Sequence, residues 1–208
     1  MDINQVVIDT CRGKQVLEIG GLGDFPRYMT DGFKTWRHAW LKAAAGKIVG
    51  VDINEKFVEE ANRHGFQYHW GDIENHDTLK SFGNFEVVLL LDVIEHLNNA
   101  ALALGNIRKM LTPGGKVIIT TPNAFSLGNM ARILTGREIN EFSDHTCAFF
   151  PSHIEELFRR QAIHLEKMEY VSFLDDRAEY RMKSRLIKFL GKRLKRINTH
   201  LFIIGARN

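Results

Sequence analysis

The stretch "VLEIGGLGDF", Val16 to Phe25, decides how the rest of the chain is read. A short apolar run carrying one acid, Glu18, enters a glycine-rich turn, as a strand does before a nucleotide-binding loop. A dinucleotide fingerprint requires G-x-G-x-x-G. Here Gly20, Gly21 and Gly23 are followed by Asp24, Phe25 and Pro26, and no glycine closes the pattern. No lysine follows the glycines either, which excludes a P-loop.

Outward from this turn, short apolar runs alternate with amphipathic segments. Strands are expected at 15–20, 47–53, 66–72, 85–97, 116–123, 164–173 and 199–208. Helices are expected at 35–46, 54–65, 98–111 and 151–162. Asn54 reads as an N-cap, and Ser152 with Glu155 as a capping box. Ile154, Leu157 and Phe158 form the apolar stripe of that last helix. The run "FEVVLLL" is nearly all apolar, as a central strand covered on both faces should be. The alternation predicts an α/β fold: a Rossmann-like, doubly wound, seven-stranded sheet, mostly parallel with the last strand antiparallel.

The chain has 208 residues, which suits a single domain spanning 1–208. With 44% hydrophobic and 25% charged residues and a net charge of +3, it has no global bias toward nucleic acid, and none is expected as partner. Two cysteines, Cys11 and Cys147, lie far apart and in no metal-binding spacing. No disulfide framework and no metal site are expected, and a cytoplasmic location fits. The N-terminal residues do not read as a secretory signal, and no apolar run is long enough to span a bilayer. Basic residues concentrate in an amphipathic helical insertion at about 177–198, in "RMKSRLIKFLGKRLKRIN" (181–198). Such a helix suits peripheral contact with an anionic membrane face; a phosphate-bearing acceptor or nucleic acid is another reading, and packing of the leucines on the domain a third. Oligomeric state stays open.

Ligands of open α/β sheets bind outside the carboxyl ends of the strands. Those ends present Glu18, then Asp52, then Asp72 and Glu74, then Asp92, Glu95 and His96, then Thr121, Pro122 and Asn123. So much negative charge would repel a pyrophosphate. It suits a ligand with a ribose and positive charge, because a carboxylate accepts from both ribose hydroxyls and from ammonium groups. S-adenosylmethionine has these parts.

The chain resembles the class I S-adenosylmethionine-dependent methyltransferases, in particular bacterial small-molecule types. The stretches "VLEIGGLG", "IVGVDI", "GDIE", "FEVVLLLDVIEHL" and "LTPGGKVIITTPN" carry the resemblance, in family order. It implies that Glu18 lies near the donor's amino group and that Gly20, Gly21 and Gly23 let the backbone approach. It further implies Asp52 on the ribose, Ile53 on the adenine, Asp72 on the adenine amino group beside Ile73, and Asp92 and Val93 at the methionine end. Leu22 departs from the pattern by filling a usual glycine position. The segment between Glu18 and Asp52 is longer than the family's common form, and Trp36, His38 and Trp40 within it are expected in a site wall.

A hydroxyl acceptor must lose its proton, and a neutral histidine is the natural base near pH 7. His96 and His145 are the candidates, the latter oriented by Asp144. His38, Asn123 and Asp144 are candidate acceptor contacts. The expected reaction is O-methylation of a small molecule such as a sugar or envelope-glycan intermediate. Alternatives are a quinone-type phenol or an amine acceptor, and, of other classes, a nicotinamide-dependent oxidoreductase or a non-catalytic binding module.

Overall fold

The computed structural model describes residues 2–80, 82–139, 144–172 and 193–208. Seven strands form one sheet: β1 (Gln15–Ile19), β2 (Lys47–Asp52), β3 (Tyr68–Trp70), β4 (Phe85–Leu91), β5 (Leu111–Pro122), β6 (Ile163–Val171) and β7 (His200–Arg207). Their order is β3-β2-β1-β4-β5-β7-β6. β7 runs antiparallel to both β5 and β6, and the remaining pairs are parallel. The doubly wound sheet with an antiparallel last strand is therefore as the sequence predicts.

Helices cover both faces: α1 (Ile3–Cys11), α2 (Phe25–Thr30), α3 (Arg37–Ala44), α4 (Glu55–Arg63), α5 (Ala100–Met110), α6 (Leu127–Leu134) and α7 (Pro151–Arg160). The period-2 geometry of a strand sorts the apolar run of β4 between them. Val88 and Leu90 pack with Leu104 and Ile107 of α5 and with Ile154 and Phe158 of α7. Val87 and Leu89 face Ile3, Val7 and Cys11 of α1 and Leu41 of α3. All four strand residues have no exposed surface, and burial of each such side chain contributes about 1.5–3 kcal/mol.

Several boundaries differ from expectation for local reasons. The run 85–97 is not one strand: Asp92 has φ +56°, which ends β4, and Ile94–His96 form a 3-10 turn. β3 is confined to three residues at the sheet edge. β5 begins at Leu111, because the Thr112–Gly115 turn is absorbed as a register irregularity. Asn54 caps α4 as expected, accepting from the Phe57 N–H at 3.1 Å. The Ser152–Glu155 capping box does not form. Pro151 already opens α7, Phe150 is its N-cap, and Ser152 falls inside the first turn. α1, α2 and α6 are not among the helices expected from the sequence, although α6 is clearly amphipathic; side chains of Asp2 and Ser126 cap the first and the last of them.

A third apolar cluster explains Leu22. With Phe25, Trp36, Val58, Ala61, Phe66 and Tyr68, it fills the space under the long first loop. Most of the basic insertion lies outside the described residues; Lys195–Ile197, within them, form a 3-10 turn rather than α-helix. Among the described residues no helix is long and apolar enough to cross a membrane.

Candidate active site

The carboxyl ends of β1 and β4, the glycine turn and the start of α3 enclose one cleft. It is lined by Glu18, Gly20, Gly21, Gly23, Asp24, Tyr28, Trp36, Arg37, Trp40 and Asp92, with Asn4 of α1 at its margin. Glu18, on β1, is 4% exposed. Its Oε2 lies 2.6 Å from His38 Nδ1 and accepts from the Tyr68 hydroxyl at 2.7 Å. Burial opposes ionisation of Glu18, but the His38 and Tyr68 hydrogen bonds together with nearby positive charge, Arg37 included, outweigh it and hold the carboxyl below its ordinary value. Burial, and then the Glu18 charge, push the Tyr68 phenol well above its own.

The glycines are required chiefly by protein neighbours. At Gly20, with φ +72°, a Cβ would lie 2.6 Å from Val93 Cγ2. At Gly21 it would lie 2.5 Å from the Tyr68 hydroxyl and 2.6 Å from Glu18 Oε2. Gly23 alone of the three faces open space. Trp36 Nε1 donates to the Gly21 carbonyl at 3.0 Å, so the long loop holds the glycine turn from behind.

Asp52 ends β2 and is 8% exposed. Its Oδ2 accepts from the Leu22 N–H at 3.1 Å and its Oδ1 from the Asn54 N–H at 2.9 Å. Burial raises its pKa, and those N–H groups offset only part of the rise. Each carboxylate oxygen retains a second lone pair for a hydroxyl donor. Ile53, next in the chain, is exposed. Asp72 accepts from the Glu74 N–H through Oδ1 at 2.8 Å. Ile73 does not line the cleft: it is 5% exposed and belongs to the main core.

A second cleft lies across the edge, beyond β4 and β5. It is lined by Asp92, Glu95, His96, Pro122, Asp144, His145 and His200. Asp92 accepts from the Thr120 hydroxyl through Oδ1 at 2.8 Å, and His200 Nε2 is 3.8 Å away from the same oxygen. Thr146 fastens the 144–148 segment here. Its N–H donates to the Glu95 carbonyl at 2.8 Å and its hydroxyl to the Leu97 carbonyl at 2.7 Å. The rings of His96 and His145 thus meet edge to face, with centroids 4.6 Å apart.

The Asp144 carboxylate lies 3.3 Å from His96 Nδ1. Two placements correct the sequence reading. His38 is wholly buried behind Glu18 and cannot touch an acceptor. Asn123 is 5% exposed and uses its amide within the fold: Nδ2 donates to the carbonyls of Arg196 and Asn198, and Oδ1 accepts from the Phe125 N–H. No metal site is legible in the sequence, yet one ligand atom each of Glu95, His96 and His145 lies within 4.8 Å of the others, a grouping that could hold a divalent cation. The missed residues Tyr68 and His200 carry no sequence signal, because each meets its partner across a gap of 50 residues or more.

The sequence profile of the methyltransferase-domain family matches residues 8–165. The chain belongs to this family. It is a methyltransferase domain, which sets aside the nicotinamide alternative. The domain is 28% identical over 118 residues to a ubiquinone biosynthesis O-methyltransferase of Aromatoleum aromaticum, covering 53% of this chain and 45% of that protein. It is 23% identical over 157 residues to the protein of the same description from Hydrogenovibrio crunogenus, covering 70% of this chain and 65% of that one. It spans about half the length of the first of these relatives. Among solved structures, a SAM-dependent methyltransferase from Archaeoglobus fulgidus superposes with a TM-score of 0.63 at 19% identity, covering 98% and 90% of the two chains. The magnesium protoporphyrin IX methyltransferase of Synechocystis, solved with bound SAH, gives 0.61 at 14% identity, covering 99% and 82%. These likenesses establish the fold. The chemistry of the first cleft is compatible with an S-adenosylmethionine donor: the carboxylates of Glu18, Asp24 and Asp92 line it, and Asp52 ends the neighbouring strand β2.

Proposed function

We propose that the domain methylates an oxygen of a small molecule, a sugar or envelope-glycan intermediate being the acceptor class. The observation that carries this reading is the imidazole pair His96–His145, set beside Asp92, which lines both clefts. An oxygen acceptor needs a base where donor and acceptor meet, and an imidazole accepts a proton near pH 7.

When bound, S-adenosylmethionine supplies an activated methyl group. Glu18 and Asp52 hold the donor by its amino group and ribose. His145 takes the acceptor's hydroxyl proton, with His96 fixed beside it by Asp144. Alignment by the two clefts supplies most of the acceleration, and the base adds about 10²–10⁴-fold.

A quinone-type phenol is the second acceptor class, favoured by the names of the relatives from Aromatoleum and Hydrogenovibrio. Residues 181–198 are proposed to contact an anionic membrane face. In their described part, Arg193, Leu194, Lys195 and Arg196 are exposed together.

The test is transfer of labelled methyl groups to panels of sugars, phenols and amines, with mass identification of products. Label on a sugar or phenol oxygen supports the proposal. Label confined to amine nitrogen, or no transfer to any panel, overturns it.

A further inference from the structure

The donor's amino acid end carries two opposite charges, and its cleft must satisfy both. The cleft described above is acidic: Glu18, Asp24 and Asp92 line it. Such a lining favours an ammonium and a sulfonium but repels an α-carboxylate. Arg37 is the one basic residue among the described residues that line it. The Arg37 guanidinium makes no hydrogen bond or ion pair with any described residue, and its charge is felt at Glu18. By contrast Arg27, on α2, is already paired with Asp24 at 3.2 Å.

An arginine left unpaired on the wall of an acidic cleft is matched to a carboxylate, which it can grip through two parallel N–H bonds. The neighbouring residue fixes the other half of the arrangement. His38 Nδ1 and the Tyr68 hydroxyl hold Glu18 Oε2 from the buried side. Tyr68 fits there because Gly50 leaves its ring room; a Cβ at Gly50 would lie 2.1 Å from that ring. The dipeptide Arg37–His38, at the start of α3, thus addresses both charges.

We propose that Arg37 binds the α-carboxylate of the donor, opposite Glu18 on its ammonium, so that the long first loop reads the amino acid end of S-adenosylmethionine. The proposal rests on the donor class and not on the acceptor named above.

The test is calorimetric binding of three ligands to the wild type and to Arg37→Ala: S-adenosylhomocysteine, decarboxylated S-adenosylmethionine and 5′-methylthioadenosine, which lacks the amino acid end. Wild type should prefer S-adenosylhomocysteine over 5′-methylthioadenosine, and Arg37→Ala should reduce its affinity by about 10- to 100-fold. The variant should bind the decarboxylated ligand and 5′-methylthioadenosine as the wild type does, and Arg37→Lys should recover part of the loss. An Arg37→Ala protein that binds S-adenosylhomocysteine like the wild type overturns the proposal. So does a variant that melts normally but loses all three ligands equally. If the variant does not fold, the wild type decides: equal affinity for S-adenosylhomocysteine and 5′-methylthioadenosine overturns the proposal. Failure of every adenosine ligand to bind overturns both it and the donor assignment, whereas absent methyl transfer with normal binding touches only the proposed acceptor.

Discussion

His38 Nδ1 stands 2.6 Å from Glu18 Oε2, with both side chains removed from solvent. The carboxylate accepts, so Nδ1 carries the proton; His38 Nε2 is buried without a hydrogen-bond partner among the described residues. His38→Ala leaves Glu18 charged and short of a donor. A loss of about 2–4 kcal/mol in unfolding free energy is expected, read from denaturant midpoints. A loss under about 0.5 kcal/mol would show that Tyr68 alone compensates Glu18.

The same carboxylate sets a pH dependence. Its pKa is lowered in the fold, so its contribution is fully present above the ordinary glutamate value and is lost as pH falls through the lowered one. Glu18→Gln should therefore flatten the acid limb of the melting-temperature curve between about pH 5 and pH 2. Parallel curves for variant and wild type would remove Glu18 from the acid response.

Gly21→Ala should destabilise the domain and weaken donor binding together, because the added methyl has only hydrogen-bonded, buried atoms of Glu18 and Tyr68 to displace. A cost of about 1–3 kcal/mol is expected. Gly23→Ala, facing open space, is the control and should melt like the wild type.

Asp52→Ala should weaken S-adenosylhomocysteine binding by about 100-fold or more, since two ribose hydroxyls lose a charged acceptor. Isothermal titration checks it; affinity near the wild type would sink the ribose assignment.

His145→Ala should lower turnover by about 10²–10⁴-fold while donor affinity stays put. Activity should also persist in a chelator. Loss of activity restored by a divalent cation would reassign Glu95, His96 and His145 from proton transfer to metal binding.

The strands were legible because buried parallel strands are written as apolar runs, and the acids because they follow those runs directly. What the sequence concealed are contacts between distant segments. Leu22 in a glycine position looked like a defect; it is a core residue that anchors the turn. His38 looked like a site wall, and only the approach of Tyr68 and Glu18 shows it as their buried partner. Asn123 and Ile73 sit beside strand ends, where recognition residues are found, yet one supports a loop and the other fills the core. Arg37 gave no periodic or motif signal, since its meaning depends on the acids around it.

Asp92 belongs to both clefts, and otherwise they draw on different stretches of chain. The first is assembled from residues 4–92, the second from 92–200. In the proposed roles, substitutions in the second stretch alter which molecule is modified and leave the residues that hold the donor untouched, with Asp92 as the seam between the two.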